Sequence, residues 1–108
     1  FRTSDAVYAI WEEQGTYVSA LRLEPYRDGL LLEALETAPP SRCQGYAEKL
    51  IRAVQDQFPN QRIYSHVGKK NVPSLRVHEK CGFRRISEYA VYIDGSVIRR
   101  ACTLCWEN

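Results

Sequence analysis

The segment Arg42-Cys43-Gln44-Gly45-Tyr46-Ala47 has the residue types of a backbone site for phosphate. Glycine and alanine stand where a backbone must approach another group closely. The segment comes directly before a helical pattern. The unpaired amides and positive dipole of a helix N-terminus suit a phosphate or pyrophosphate, and Arg42 would add a fixed positive charge. Taken alone, the same residues also fit an ordinary strand-to-helix turn that uses glycine for its geometry.

The cysteines and histidines do not predict a metal site. The stretch Cys102-Thr103-Leu104-Cys105 is a single CxxC without a second pair, and the two histidines, His66 and His78, lie far from it in the sequence. The four cysteines could form two disulfides, but nothing in the sequence indicates secretion. We therefore expect no bound metal and reduced thiols, two of them in a final strand.

The first third of the chain has the alternation of a β-sheet. Ala6–Glu12 and Tyr17–Glu24 alternate, and Gln14-Gly15 between them indicates the turn of an antiparallel hairpin. An apolar run broken by Glu33 and Glu36 predicts a central strand; its residues are Leu30, Leu31, Leu32, Ala34 and Leu35. Pro39-Pro40 ends that run. These elements would present the phosphate segment at the end of the central strand.

Two helical patterns follow, with one strand between them. Apolar residues recur at steps of three and four from Tyr46 to Phe58, which predicts one face of a helix. Arg62–Val67 predicts a short strand. Pro73 suits the first turn of a second helix, and Gly82 suits its C-terminal end.

The last part of the chain predicts a second hairpin. The alternating runs Arg85–Ile93 and Val97–Trp106 flank Asp94-Gly95, which is a strong turn signal. The whole chain therefore predicts an α/β fold, a mixed and mostly antiparallel sheet with flanking helices in the order β-β-β-α-β-α-β-β. No repeat or linker divides residues 1–108, so we expect one domain.

Composition and charge exclude several classes of partner. The 15 basic and 13 acidic residues give a net charge of +2, which is too even for a nucleic-acid backbone or an anionic membrane as partner. No stretch approaches the roughly 20 apolar residues of a membrane helix, and no signal-peptide pattern is present. We expect a cytoplasmic location. Neither a GxxxxGKS nor a GxGxxG motif is present, which argues against a nucleotide-binding α/β domain.

Two motifs in order resemble those of the GNAT superfamily of N-acyltransferases. The segment from Thr37 to Ala47 is similar to its pyrophosphate loop, in which Arg or Gln is followed by two residues, Gly, one residue, and Gly or Ala. The segment Asn71 to Phe83 is similar to the second signature, with Asn, a small residue three positions later (Ser74), and a Glu-Lys-x-Gly-Phe ending. The resemblance covers the chain from the first hairpin to the last strand.

The resemblance implies acetyl-CoA as cosubstrate. The backbone of Leu35, Glu36 and Thr37 would pair with the pantetheine arm like an added strand, where a bulge splays the sheet and leaves an open edge. Asn71 would bond the pantetheine from the opposite side. The full set of implied cofactor-binding residues is Leu35, Glu36, Thr37, Arg42, Cys43, Gln44, Gly45, Tyr46, Ala47, Asn71 and Ser74.

The reaction that the resemblance implies is direct attack of a neutral amine on the thioester, which requires an acid for the thiolate and a base for the amine. His78 stands where the family most often carries a tyrosine acid. With an unperturbed pKa near 6.5, it either replaces that acid or serves only as a polar helix residue that bonds the sulfur or a backbone carbonyl. His66, on the short strand, fits a core or edge histidine better than a catalytic one.

Glu33 and Glu36 are the candidate bases. Because side chains alternate along a strand, we expect the two carboxylates to face opposite sides of the sheet, so that only one faces the acceptor. Apolar neighbours would raise its pKa, which suits a base, whereas a surface glutamate paired with an arginine is the plainer alternative.

We expect an N-acetyltransferase that acts on a small-molecule or peptide amine. The alternative is an inactive acyl-CoA-binding or regulatory module, which the histidine at position 78 favours. The family usually begins with one further strand and one or two helices. Their apparent lack suggests a fragment, a compact variant, or a chain completed by another, and a homodimer through the final strands is possible.

Overall fold

The computed structural model describes residues 7–37, 45–92 and 94–108. Three strands come first, and two helices with a strand between them follow; these are β1 (Val7–Glu13), β2 (Thr16–Tyr26), β3 (Gly29–Thr37), α1 (Tyr46–Gln57), β4 (Arg62–Gly68) and α2 (Val72–Lys80). The described chain then ends in short strands, β5 (Arg84–Ser87), β6 (Ala90–Val91), β7 (Val97–Ile98) and β8 (Ala101–Trp106).

The strands form one large sheet and one small one. The large sheet has the order β1-β2-β3-β4-β8-β5, and β6 pairs with β7 separately. Within the large sheet only β3 and β4 run parallel, while the other neighbours are antiparallel. The predicted α/β fold with a mixed, mostly antiparallel sheet is thus confirmed.

The predicted turn between β1 and β2 is present. Gln14 and Gly15 have φ angles of 53° and 78°, so both central residues are left-handed. A two-residue turn of this kind matches the twist of the strands that it joins. The turn therefore fixes the pairing of Glu13 with Thr16, and a bulge shifts the register between Glu12 and Trp11.

The predicted C-terminal hairpin is wrong in one respect. The runs Arg85–Ile93 and Val97–Trp106 are not two continuous strands, because each is interrupted and only the inner parts, β6 and β7, pair around Asp94-Gly95. The outer parts, β5 and β8, pair within the large sheet, with a register shift between Arg85 and Ser87. The Thr103 hydroxyl donates to the Tyr89 carbonyl oxygen at 2.6 Å, which holds the small hairpin onto the sheet at the break.

The core lies between one face of the large sheet and the two helices. The apolar stripe predicted for α1 is buried there through Leu50, Ile51 and Val54. This stripe packs against alternate residues of the strands and against two residues that follow α2, which together are Leu21, Leu23, Leu32, Ile63, Val67, Cys81, Phe83, Cys102 and Leu104. In the described ranges, neither helix is long and apolar enough to cross a membrane.

The opposite face of the sheet carries a different set of side chains. Tyr26, Leu31 and Tyr64 form a small buried cluster on it. The Tyr26 hydroxyl donates to the carbonyl oxygen of Val91 in β6, so the small hairpin lies over this end of the face. This face is called the tyrosine face below, and it carries alternate residues of three strands, Arg22 and Glu24 of β2, Leu31 and Glu33 of β3, and Tyr64 and His66 of β4.

Candidate active site

The parallel pair β3 and β4 separates partway along its length. Pairing runs from Gly29 and Arg62 to Leu32 and Ser65, whereas β3 continues to Thr37 and β4 to Gly68. Beyond Ser65, β4 still pairs with β8. The two strands thus open into a gap, the strand fork, which is bounded by residues 33–37 of β3 and residues 66–68 of β4.

A bulge on β3 accounts for the opening. Ala20 pairs with Glu36 and Arg22 pairs with Glu33, so that two residues of β3, Ala34 and Leu35, oppose the single residue Leu21. An extra residue in one strand bends that strand and increases its twist. The bulge therefore turns β3 away from β4 and leaves backbone groups of 33–37 facing the strand fork.

The residues predicted to bind pantetheine through their backbone lie at this fork. Leu35, Glu36 and Thr37 form the end of β3, after its last pairing with β4. The side chains of Glu36 and Thr37 lie outside the described residues. Because the bulge falls between Glu33 and Glu36, the simple alternation used to place those two carboxylates on opposite faces does not apply to this stretch.

The predicted phosphate segment is described only from Gly45 onward; Arg42, Cys43 and Gln44 lie outside the described residues. Gly45 is the N-cap of α1, with φ 80°, and it supplies no side-chain cap. Tyr46 and Ala47 begin the helix, and the first amides of a helix lack intrahelical partners. The start of α1 therefore has the donor groups that an anion needs.

Asn71 and Ser74 lie at the start of α2. Asn71 is the N-cap, and its Oδ1 accepts from the Ser74 backbone amide at 3.3 Å. A capping asparagine stabilises a helix in this way. The cap holds the Asn71 side chain in place, and its Nδ2 group has no partner among the described residues.

His78 lies inside the core and is 1% exposed. Its Nδ1 is 2.7 Å from the Ser74 carbonyl oxygen, which can only accept, so Nδ1 carries the proton. Nε2 therefore accepts, and the Ser65 hydroxyl donates to it at 2.8 Å. Burial lowers the pKa of His78 below its ordinary value of 6.5. A neutral imidazole with both nitrogens engaged matches the second alternative raised for this residue, that of a structural helix side chain.

The pH dependence of stability tests this placement. His78 has a lower pKa in the folded chain than in the unfolded chain, so its stabilising effect is complete above about pH 6.5 and is lost as the pH falls. At pH 8 we expect the free energy of unfolding of His78→Gln to be about 1–3 kcal/mol lower than that of the wild type, because Ser65 or Ser74 loses its hydrogen-bond partner. We also expect the stability of this variant to fall less steeply than that of the wild type as the pH drops below about 6.5.

Urea unfolding at several pH values measures both effects. Arg76→Gln, which changes an exposed residue on the same helix, is the matched control and should keep the wild-type dependence on pH. An acid-induced loss of stability that is equally steep in His78→Gln and in the wild type would show that His78 is not the buried neutral group described here.

Glu33 is the first residue of β3 past its last pairing with β4, and it lies on the tyrosine face. Its carboxylate is 3.3 Å from the Arg22 guanidinium, which also holds Glu24 at 2.9 Å. The pKa of Glu33 is raised from 4.5 to about 7, first by burial and then by the Glu24 carboxylate, against the opposing effect of Arg22. Glu33 can therefore exchange a proton near neutral pH, as a general base must.

The structure brings together part of the predicted site. Glu33 and the backbone of Leu35 lie at the strand fork, while His78 lies beneath the sheet on the helix side. The sequence reasoning missed Glu24, which raises the pKa of Glu33 from the neighbouring strand. The strand register that pairs Arg22 with Glu33 also places Glu24 on the same face as Glu33. Sequence spacing alone does not show this register.

Metal ligands are not assembled in the described part of the chain. No group of three His, Cys, Asp or Glu side chains among those residues could hold a metal ion. Cys81, Cys102 and Cys105 are free thiols, and burial raises the pKa of both Cys81 and Cys105. The CxxC pair lies on β8 within the sheet, so packing accounts for its place in the fold.

Comparison with protein-family models matches residues 1–83 to the acetyltransferase (GNAT) family. A comparison with curated protein sequences gave no match. The matched range includes the strand fork and both helices, so the family match and the geometry concern the same part of the chain.

Solved structures share the fold of this chain. An IAA acetyltransferase from Bacillus cereus ATCC 14579 is 19% identical and has a TM-score of 0.79, over 97% of this chain and 79% of that one. A GNAT family acetyltransferase from Elizabethkingia anophelis, solved with acetyl-CoA bound, is 15% identical with a TM-score of 0.79, over 97% and 78%. A putative acetyltransferase from Thermoplasma acidophilum is 26% identical with a TM-score of 0.69, over 77% of this chain and 34% of that one.

Proposed function

This chain belongs to the acetyltransferase (GNAT) family, and on that premise we propose that it moves an acetyl group from acetyl-CoA to a primary amine by direct attack on the thioester. The observation that carries the proposal is the strand fork, where β3 leaves β4 after Leu32 and Ser65. A ligand that carries amides along its length satisfies such an open edge in the way that an added strand does.

Acetyl-CoA would lie along the end of β3. Its pantetheine amides would pair with the backbone of Leu35, Glu36 and Thr37, and Asn71 Nδ2 would donate to it from the start of α2. The pyrophosphate would bind amides from Cys43 to Ala47, of which Tyr46 and Ala47 begin α1, with Arg42 as counter-charge. The thioester would then lie between the arms of the fork.

Glu33 would serve as the general base. At physiological pH a free alkylamine is protonated, and only its neutral form attacks a thioester. A carboxylate with a pKa about 7 accepts a proton from the amine more readily than an ordinary glutamate does. At the strand fork, on the tyrosine face, Glu33 would face the side from which the amine approaches the thioester.

An inactive acyl-CoA-binding module is the second candidate. It is favoured by His78, which stands in the position of the usual tyrosine acid and has both ring nitrogens engaged within the chain. Such a module would bind acetyl-CoA through the same backbone groups and would release no thiol.

Thermal melting with acetyl-CoA, CoA, ATP and NAD tests whether the chain binds coenzyme A and its acetyl ester. A ligand present at 100 times its Kd stabilises the native state by about 2.7 kcal/mol, so acetyl-CoA and CoA should raise the Tm by roughly 10 °C or more. ATP and NAD should do little. No shift with any of the four would contradict the assignment of an acyl-CoA site.

Release of free CoA thiol with a panel of amines separates the two candidates. The panel includes a polyamine, a peptide with a free N-terminus and a lysine-containing peptide with a blocked N-terminus. A blank without amine corrects for the thiols of the chain itself, since Cys105 is partly exposed. Amine-dependent release supports the acetyltransferase, and a Tm shift without release from any amine supports the inactive module.

A further inference from the structure

His66 is the counterpart of Glu33 on the other arm of the strand fork. The last paired residues are Leu32 and Ser65, so Glu33 and His66 are the first residues past the pairing on their respective strands. Both belong to the tyrosine face, since Glu33 contacts Arg22 and His66 contacts Tyr26, and Arg22, Glu24 and Tyr26 are alternate residues of β2. The two titratable groups nearest to the point of separation thus lie on opposite arms and on one face.

The contacts of His66 determine which of its nitrogens carries the proton. The Tyr26 hydroxyl donates its only hydrogen to the Val91 carbonyl oxygen. His66 Nε2, which is 3.4 Å from that hydroxyl oxygen, must therefore be the donor in the contact between them. A neutral imidazole has one donor and one acceptor nitrogen, so Nδ1 carries the lone pair. Nδ1 has no hydrogen-bond partner among the described residues.

The surroundings of His66 favour its neutral form but leave the side chain partly exposed to solvent. The ring lies 4.9 Å from that of Tyr92 and 5.5 Å from that of Tyr26, and the residue is partly exposed. Burial lowers the pKa of His66 first, and the positive charge of Arg27 lowers it further. Tyr64 lies two residues earlier on β4, on the same face, and its hydroxyl donates to Asp28. A neutral imidazole with a free lone pair is ready to take up a proton.

We propose that His66 carries a proton from the attacking amine to the departing thiolate, a role that rests on the proposed acetyltransferase function. Glu33 first takes one proton from the ammonium and passes it to solvent. As the nitrogen forms its bond to the acetyl carbon, His66 Nδ1 accepts the second proton. The carbon–sulfur bond breaks, and the imidazolium returns that proton to the sulfur, giving the amide, CoASH and a neutral histidine.

His78 cannot take this role, because both of its ring nitrogens already have partners within the chain. His78 donates its proton to the Ser74 carbonyl oxygen and accepts from Ser65, and it is 1% exposed. His66 differs in each respect, since one nitrogen is unpartnered among the described residues, the side chain is partly exposed, and it lies at the fork. Of the two histidines in the sequence, His66 is the one placed to shuttle a proton.

The test compares His66→Gln and His66→Ala with the wild type, using acetyl-CoA and whichever amine of the panel supports thiol release. We expect kcat/KM to fall by about 100-fold in both variants, the lower range for loss of a general acid–base. We expect added imidazole to restore at least a tenth of the wild-type rate in His66→Ala, with a dependence on pH that follows the pKa of imidazole. The acetyl-CoA-induced rise in Tm should stay as in the wild type.

The outcomes separate this proposal from the function on which it rests. Wild-type protein that releases no thiol with any amine overturns the proposed function itself. Wild-type release with an unchanged rate in His66→Gln overturns only the role of His66. A loss of rate that imidazole does not restore, in protein that still melts cooperatively and responds to acetyl-CoA, also overturns it, because it indicates a structural contribution alone.

Discussion

Glu33→Gln is expected to lower kcat/KM by at least about 100-fold, which is the lower range for removal of a general base. Glutamine has nearly the same shape and can still bond Arg22, but it cannot accept a proton from an ammonium. The measurement is thiol release from acetyl-CoA with the amine that the panel identifies. Binding of acetyl-CoA, followed as a rise in Tm, should change little, because backbone groups dominate the proposed contacts.

The pH dependence identifies the residue. Because the base acts when deprotonated, wild-type kcat/KM should rise as the pH passes through about 7, the pKa of Glu33, and Glu33→Gln should lose that step. A raised carboxyl pKa favours the protonated form in the folded chain, so the stability associated with it is lost as pH rises from about 4.5 to 7. The glutamine variant should therefore melt no lower than the wild type at pH 8, which excludes unfolding as the cause of lost activity.

Glu79→Gln is the matched control for this experiment. Glu79 is an exposed glutamate on α2, outside the strand fork, and its replacement removes one carboxylate in the same way. It should keep the wild-type rate and pH profile. If Glu33→Gln also keeps the wild-type profile, Glu33 is not the base.

Gly29→Ala is expected to cost the fold about 3 kcal/mol, the upper part of the usual range for overpacking. Gly29 opens β3 and pairs with Arg62 at the closed end of the parallel pair. A Cβ atom at this position would lie 2.1 Å from the Arg62 carbonyl oxygen, and that backbone atom cannot move without disturbing β4. Urea unfolding should give the change in free energy, and the acetyl-CoA-induced rise in Tm should shrink as the base of the fork is displaced.

Gly68→Ala is the control, because Gly68 is a strand glycine at which an added Cβ atom has space. The added Cβ would meet only the Cβ of Asn71, at the ordinary contact distance of 3.8 Å, so stability should stay within about 0.5 kcal/mol of the wild type. Equal losses in the two variants would mean that any alanine weakens these strands and that close packing at Gly29 is not the cause.

Local patterns predicted most of the elements because the information for them is local. The stripe from Tyr46 to Phe58 and the Gln14-Gly15 turn each specify their own conformation, and the structure confirms both. The final hairpin was predicted with unbroken strands because apolar residues recur on both sides of Asp94-Gly95, although Ser87 and Glu88 are both polar and shift the alternation. There the pairing of β5 with β8 and the bond from Thr103 to Tyr89, both long-range, override the local pattern.

The site depended more on contacts that sequence spacing does not show. Motif position singled out His78, but its burial against Ser65 follows from the packing of α2 under β4. The raised pKa of Glu33 depends on Glu24, which register alone brings near it. His66 has no motif around it, and its place on the strand fork follows from the residue at which β3 and β4 stop pairing.

The most direct test of the strand fork as the acetyl-CoA site is backbone amide NMR with and without acetyl-CoA. Amides among Leu35, Glu36 and Thr37 should shift and exchange more slowly with solvent on binding, because pantetheine would pair with that edge, while amides of the Gln14-Gly15 turn should stay unchanged. Changes confined to the groove between β1 and α1, which Tyr8, Trp11 and Phe58 help to line, would contradict the account.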